Sequence, residues 1–165
     1  MKSAIKLRKF YLSSAWVTLL SVCCLATDSS MDRATLRGLK AVNVVVDPLS
    51  NEMERLGLNR DTLRADIEQR LRDAGIKIDN ESPEFLGLNI SSARMKRGPQ
   101  ALLLNLGLYQ IVMLNRDKTT KTVAETWGAQ MVMAVSPKAK DRAVVDAVGE
   151  MVGQFITAYQ AMNPR

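Results

Sequence analysis

A pair of long alternating segments constrains the fold more than any other feature of this sequence. The two segments, Ala101 to Asn115 and Thr122 to Val135, are separated by the polar stretch RDKTTK. Alternation with a period of two is typical of β-strands, and a short polar connection between two such strands predicts an antiparallel hairpin. One face of the first strand is apolar, with Leu102, Leu104, Leu106, Leu108, Val112 and Leu114. The chain is therefore expected to bury one side of a sheet.

Three more segments are predicted to be strands. Leu39 to Asp47 is rich in β-branched residues and is followed by Pro48, and Phe85 to Ala93 alternates. Ile76 and Ile78 predict a short strand between these two. Together with the hairpin, five strands are expected.

Two further segments have apolar side chains at helical spacing. Asn59 to Ala74 has one apolar stripe, a capping asparagine at its start and Gly75 after its end. A last helix is predicted to begin with Ser136 as its cap and Pro137 in its first turn. Its apolar stripe extends from Val144 to Tyr159. Each helix thus has one side to bury.

The predicted element order is β-α-β-β-β-β-α. The first unit, Leu39 to Ile78, should be a crossover between parallel strands. The later strands should form an antiparallel meander, and two helices with one apolar stripe each suit a single face of the sheet. We predict an α+β fold, a two-layer sandwich in which a mixed sheet carries two helices on one face.

The N-terminal segment has the features of a secretory signal peptide. Four basic residues precede 17 uncharged ones, Phe10 to Ala26, and Ala26 with Cys24 fits a cleavage site. Two alternatives remain open: a lipoprotein cut that leaves Cys23 acylated, or a retained membrane anchor. We predict a signal peptide over residues 1–26, a linker over 27–38 and a single domain over 39–163. The protein is expected in the periplasm or at the cell envelope after Sec-type export.

Few kinds of chemistry are open to the predicted domain. The chain has no histidine, and its two cysteines, Cys23 and Cys24, both lie in the predicted leader. The domain therefore lacks the residues for a Ser-His-Asp triad, for a thiolate nucleophile and for the usual zinc sites. A serine–lysine pair such as Ser136 with Lys140 stays open as an enzymatic alternative. We expect a protein that is not an enzyme and that has no cofactor or metal.

The net charge of +6 comes mainly from the leader. Its 26 residues hold four basic and no acidic side chains, so the rest of the chain carries +2. An exported domain with this small charge is not expected to bind nucleic acid.

Basic residues nevertheless cluster where the third and fifth predicted strands end. We name this cluster the basic pole, and its residues are Arg94, Lys96, Arg97, Lys138, Lys140 and Arg142. The basic pole favours contact with an anionic membrane surface. The alternative is a solvated rim of loops.

A second candidate surface lies on the hairpin. Tyr109, Ile111 and Met113 share a face of the first strand, and Trp127 and Met131 share a face of the second. If the helices leave this side of the sheet uncovered, it is an apolar surface for a partner or a ligand. The alternative is that this side is the core and that the two faces are reversed.

The helix pattern L-x3-I-x3-L-x2-A-G-I after a first strand, together with F-I-x2-Y in the last helix, resembles small exported bacterial proteins of unknown function. The element order is also similar to the N-terminal domain of TolB and to the LPS-assembly lipoprotein. This resemblance implies a non-enzymatic role in the cell envelope, through binding of partner proteins or assembly of outer-membrane components. It transfers no functional residue.

We therefore expect an exported, non-catalytic envelope protein that binds another protein of the envelope. A carrier of a small ligand or lipid is the alternative. It predicts an internal cavity lined by Leu106, Leu108, Val148 and Val152.

Overall fold

A mixed β-sheet and four helices make up the part of the chain that the structure describes. The structure is a computed structural model, and it describes residues 24–26, 29–93, 100–135 and 141–164. The strands are β1 (Cys24–Ala26), β2 (Asn43–Val46), β3 (Phe85–Ala93), β4 (Gln100–Met113) and β5 (Lys121–Val135). The helices are α1 (Ser30–Ala34), α2 (Asn51–Arg55), α3 (Arg60–Asp73) and α4 (Arg142–Met162).

The strands are ordered β1-β5-β4-β3-β2 across the sheet. Three pairings are antiparallel, and β2 alone pairs in parallel, with Asn43 beside Phe85. The crossover from β2 to β3 contains α2 and α3, as a parallel connection requires. The predicted α+β fold with a mixed sheet is confirmed.

The hairpin of β4 and β5 is closed by the polar turn that the sequence indicates. The Leu114 amide donates to the Thr120 carbonyl at 3.1 Å. Within the turn, the Asp117 carboxylate accepts hydrogen bonds from the Thr119 and Thr120 hydroxyls, each at 2.6 Å. These side-chain hydrogen bonds lower the pKa of Asp117 to about 2. A local hydrogen-bonded turn therefore sets the register of the two longest strands.

The core lies between one face of the sheet and the helices α3 and α4. Every second residue of β4 from Leu102 to Leu108 is fully buried. The stripe of α3 contributes Leu63, Ile67 and Leu71. The stripe of α4 contributes Val144, Val148, Met151, Val152 and Phe155. These side chains form a single apolar cluster, which makes the two-layer arrangement.

The predicted strand at Ile76 and Ile78 is reduced to an isolated parallel bridge between Ile78 and Val42. Gly75 has a φ of 80° at the end of α3. The Ile76 amide donates to the Leu71 carbonyl at 2.9 Å, so this residue completes the helix end instead of a strand ladder. The chain then turns away, and β2 pairs with β3.

The segment expected to be a linker contains a helix and packs against the domain. Ser29 and Asp32 form a reciprocal capping box at the start of α1. Leu36 is fully buried, and its carbonyl accepts a hydrogen bond from the Asn163 side chain at 2.9 Å. Burial of Leu36 and a hydrogen bond from distant Asn163 therefore attach a stretch that is polar on average.

Helix α4 begins at Arg142, with Asp141 as the preceding residue. The predicted cap Ser136 and Pro137 lie outside the residues that the structure describes. Among the helices that are described, none is long and apolar enough to cross a membrane.

Candidate functional site: the outer face of the sheet

The face of the sheet away from α3 and α4 is the candidate site, and we call it the outer face. Two of the residues predicted to form an apolar surface do not lie on it. Trp127 is 2% exposed, and it packs edge-on against Phe155 with ring centroids 5.2 Å apart. Met131 is also buried in the core. The prediction of an exposed surface was wrong for these two residues.

A β-bulge explains the error. Leu108 pairs with Trp127, but the next residue, Tyr109, pairs with Glu125, so Thr126 is an extra residue on β5. A bulge shifts the alternation of its own strand by one position. Odd-numbered residues of β5 therefore lie on the outer face before Thr126 and in the core after it.

Five of the six large apolar side chains that are exposed in the described residues lie on the outer face. They are between 41% and 59% exposed, and they are Leu103, Ile111, Met113, Val123 and Val132. The sixth, Met31, belongs to α1. Leu103 faces Val132 across the strands, and Ile111 faces Val123. The outer face thus carries two apolar pairs, near opposite ends of the hairpin.

Three glycines cross the sheet between the two pairs. Gly87, Gly107 and Gly128 lie side by side on β3, β4 and β5. A Cβ atom on Gly107 would lie 2.7 Å from Glu125 Oε2, and one on Gly128 would overlap Glu125 Oε1. A Cβ atom on Gly87 would lie 3.0 Å from the ring of Tyr109. The glycines, which we call the glycine row, make room for these two side chains to lie against the sheet.

Glu125 is exposed and lies at the centre of this face. Its Oε2 atom accepts a hydrogen bond from the Tyr109 hydroxyl at 3.0 Å and one from Asn105 Nδ2 at 3.3 Å. The Tyr109 ring stacks on Phe85, with centroids 5.0 Å apart and planes at 12°. Burial raises the pKa of Tyr109, and the neighbouring Glu125 carboxylate raises it further because it disfavours a phenolate.

The basic pole is only partly visible. Five of its six residues lie outside the described part of the chain, and Arg142 is exposed at the start of α4. The strand ends that flank it do meet at one end of the sheet, since Ala93 pairs with Ala101 and Gln100 with Val135. Contact of the basic pole with an anionic membrane stays a prediction.

The residues predicted to line a ligand cavity, Leu106, Leu108, Val148 and Val152, are all fully buried in the core. A pocket of about 310 Å³ opens elsewhere, beside α3 and the start of α4, and is lined by Leu58, Thr62, Asp66, Asp141 and Val145 among others. In the part of the chain that the structure describes, no group of three or more acidic or sulfur-bearing side chains is arranged to hold a metal.

No protein-family model and no curated protein matches this sequence. Among solved structures, the crystal structure of a minor lipoprotein from Acinetobacter baumannii is similar with a TM-score of 0.31 and 11% identity. The match covers 74% of this chain and 91% of that chain. The chain is thus weakly similar to a bacterial lipoprotein, and a likeness at this level transfers no function.

The sequence patterns did not predict the glycine row, Glu125, or the exposed positions of Val123 and Val132. A signal for the row was present, because Gly87, Gly107 and Gly128 each fall inside a strand pattern. A glycine within a strand often marks a bulge or a close approach. Their alignment depends on strand register, which the sequence alone does not specify.

Proposed function

We propose that this protein is an exported, non-catalytic protein of the bacterial cell envelope that acts by binding another protein through the outer face. One observation carries the proposal. Of the six large apolar side chains that are exposed in the described residues, five lie on the face of the sheet opposite α3 and α4. Exposed apolar side chains that gather in pairs on one face, instead of singly over the surface, support a protein-binding site there.

The chemistry of the outer face supports binding instead of catalysis. Tyr109 and Asn105 each donate a hydrogen bond to Glu125, and the raised pKa of Tyr109 disfavours the phenolate that a tyrosine nucleophile would need. The chain also has no histidine to act as a general base.

The basic, then uncharged, N-terminal segment supports export. The structure adds that β1, which belongs to the predicted leader, pairs with β5 through Leu25 and Gln130. A cut after Ala26 removes β1 from the mature protein, whereas a cut before Cys23 keeps it on the edge of the sheet. N-terminal sequencing and the intact mass of the mature protein separate these outcomes. A chain that still starts at Met1 in the cytoplasmic fraction contradicts export.

Site-specific photo-crosslinking in the native host tests the binding function. The crosslinker is placed at Val132 or at Ile111, and Met31 is the matched control because it is exposed but lies off the outer face. We expect both outer positions to form an adduct with the same polypeptide and Met31 to form none. The purified partner should then bind wild type, and the double variant Ile111→Asp, Val123→Asp should bind at least tenfold more weakly. Equal crosslinking from Met31, or none from the outer face, contradicts the proposal.

A further inference from the structure

We infer that the centre of the outer face binds a cationic side chain, arginine or lysine, of the partner protein, while the two apolar pairs hold apolar side chains of the same partner segment. The inference rests on the proposed function and specifies the chemistry of the partner. It is carried by the position of the Glu125 carboxylate between the pairs Leu103–Val132 and Ile111–Val123.

The negative charge of Glu125 favours a cationic ligand. Glu125 accepts hydrogen bonds from neutral donors, Tyr109 and Asn105, and no lysine or arginine of the described residues forms an ion pair with it. Lys121 lies on the same strand, but four residues of a strand separate it from Glu125 by about 13 Å. The Asp47 carboxylate adds to the negative charge that acts on Tyr109. An apolar face with an uncompensated carboxylate at its centre is complementary to a partner that supplies a cation there.

The shape of the outer face around the glycine row suits a long side chain of the partner. Because the glycine row has no side chains, the Glu125 carboxylate lies close to the backbone of Gly107 and Gly128 instead of projecting from the face. The strand register places these glycines midway between the two apolar pairs. A long cationic side chain can therefore reach the carboxylate while apolar residues on both sides of it stay in contact with the pairs.

The Glu125 carboxylate is held in place before any partner binds. The hydrogen bond from Tyr109, whose ring is held by stacking on Phe85, fixes one carboxylate oxygen of Glu125. Asn105 donates from Nδ2 to the same oxygen, while its buried Oδ1 atom has no hydrogen-bond partner. An ammonium or guanidinium group supplies only donors. It therefore suits the free accepting capacity of the exposed Glu125 carboxylate.

The spacing of the face describes the partner segment. Leu103, Gly107 and Ile111 follow each other at intervals of four residues along β4. Each interval spans about 13 Å in a strand. An extended segment that lies along β4 thus matches the face when it has apolar residues about four positions before and after its lysine or arginine.

The experiment measures the affinity of the full mature protein for the partner identified by crosslinking at Val132. The variants are Glu125→Gln, which keeps hydrogen-bonding atoms but removes the charge, and Glu125→Arg. The control is Glu150→Gln, because Glu150 is an exposed carboxylate on α4. We expect about tenfold weaker binding for Glu125→Gln, a larger loss for Glu125→Arg, and no change for the control. Binding of wild type should weaken with added salt, and binding of Glu125→Gln should weaken less.

The decisive step is rescue. Reversal of the charge of one lysine or arginine of the partner should restore binding to Glu125→Arg and weaken binding to wild type. Unchanged thermal unfolding of Glu125→Gln shows that a loss of affinity is not a loss of fold. If the partner binds Glu125→Gln and wild type equally, this inference is overturned while the proposed function stands. If no partner is crosslinked at the outer face, the proposed function fails, and this inference fails with it.

Discussion

The two faces of the sheet come from the same alternating strands, yet they differ in how their apolar side chains are arranged. On the inner face of β4 the apolar residues form an unbroken row from Leu102 to Leu108, and helices cover it. On the outer face two apolar pairs are interrupted by the glycine row and Glu125. Stability needs a continuous surface that can be closed from water. The outer face has no such continuous surface, and its two apolar pairs stay exposed in the described residues.

Truncation of one large apolar side chain on each side of this comparison should give the largest contrast in stability. Phe155→Ala removes a fully buried ring that contacts Trp127 and should lower the free energy of unfolding by about 3–5 kcal/mol. Ile111→Ala, on the outer face, should lower it by less than about 1 kcal/mol. Urea denaturation of both variants measures the difference. Comparable losses would mean that the outer face is part of a second core.

Addition of a single methyl group tests whether the glycine row is needed for the outer face. In Gly107→Ala the new Cβ atom would contact the Glu125 carboxylate, so we expect a loss of about 1 kcal/mol in the free energy of unfolding. Removal of that carboxylate by Glu125→Ala should recover much of the loss.

Gly153→Ala is the matched control for this methyl group. Gly153 lies in α4, and apart from its chain neighbours and the backbone of its own helix no described atom lies within 4 Å of its new Cβ position. Alanine there should stabilise the protein by about 0.5–1 kcal/mol, because glycine is the poorer helix former. The two substitutions should therefore shift the thermal midpoint in opposite directions. If Gly107→Ala raised the thermal midpoint instead, the Glu125 side chain would be able to move away from the new methyl group without loss of stability.

Local signals explain why some parts of the fold were predictable. Strand β3 has the predicted bounds, Phe85 to Ala93, and Asn59 caps α3 by accepting a hydrogen bond from the Thr62 amide at 3.0 Å. The features of the fold that were predicted wrongly depend on contacts between residues that are distant in the sequence. The extra residue Thr126 reverses the faces of β5, and its carbonyl accepts a hydrogen bond from Thr35, which is far away in the chain. Strand periodicity cannot locate a bulge of this kind.

The smallest expected effect on the free energy of unfolding comes from the side of α3 that faces away from the sheet. Glu68 bonds to Arg64 at 2.8 Å and to Arg72 at 2.6 Å. Burial raises the pKa of Glu68, but these hydrogen bonds and the two positive charges together lower it below its usual value of 4.5.

Because the folded pKa of Glu68 is the lower one, the stabilisation is present above the unfolded pKa and is lost as pH falls through the folded pKa. Glu68→Gln should therefore cost less than about 1 kcal/mol at neutral pH, and the difference from wild type should shrink as the pH falls below 4.5. Urea denaturation at several pH values measures it, with Glu150→Gln as the exposed control on α4. If Glu68→Gln lowered the free energy of unfolding as much as Phe155→Ala, the helices would not be held on the sheet mainly by their buried apolar stripes. A small, pH-dependent loss for Glu68→Gln is the result expected when the buried stripes of α3 and α4 hold the helix layer on the sheet.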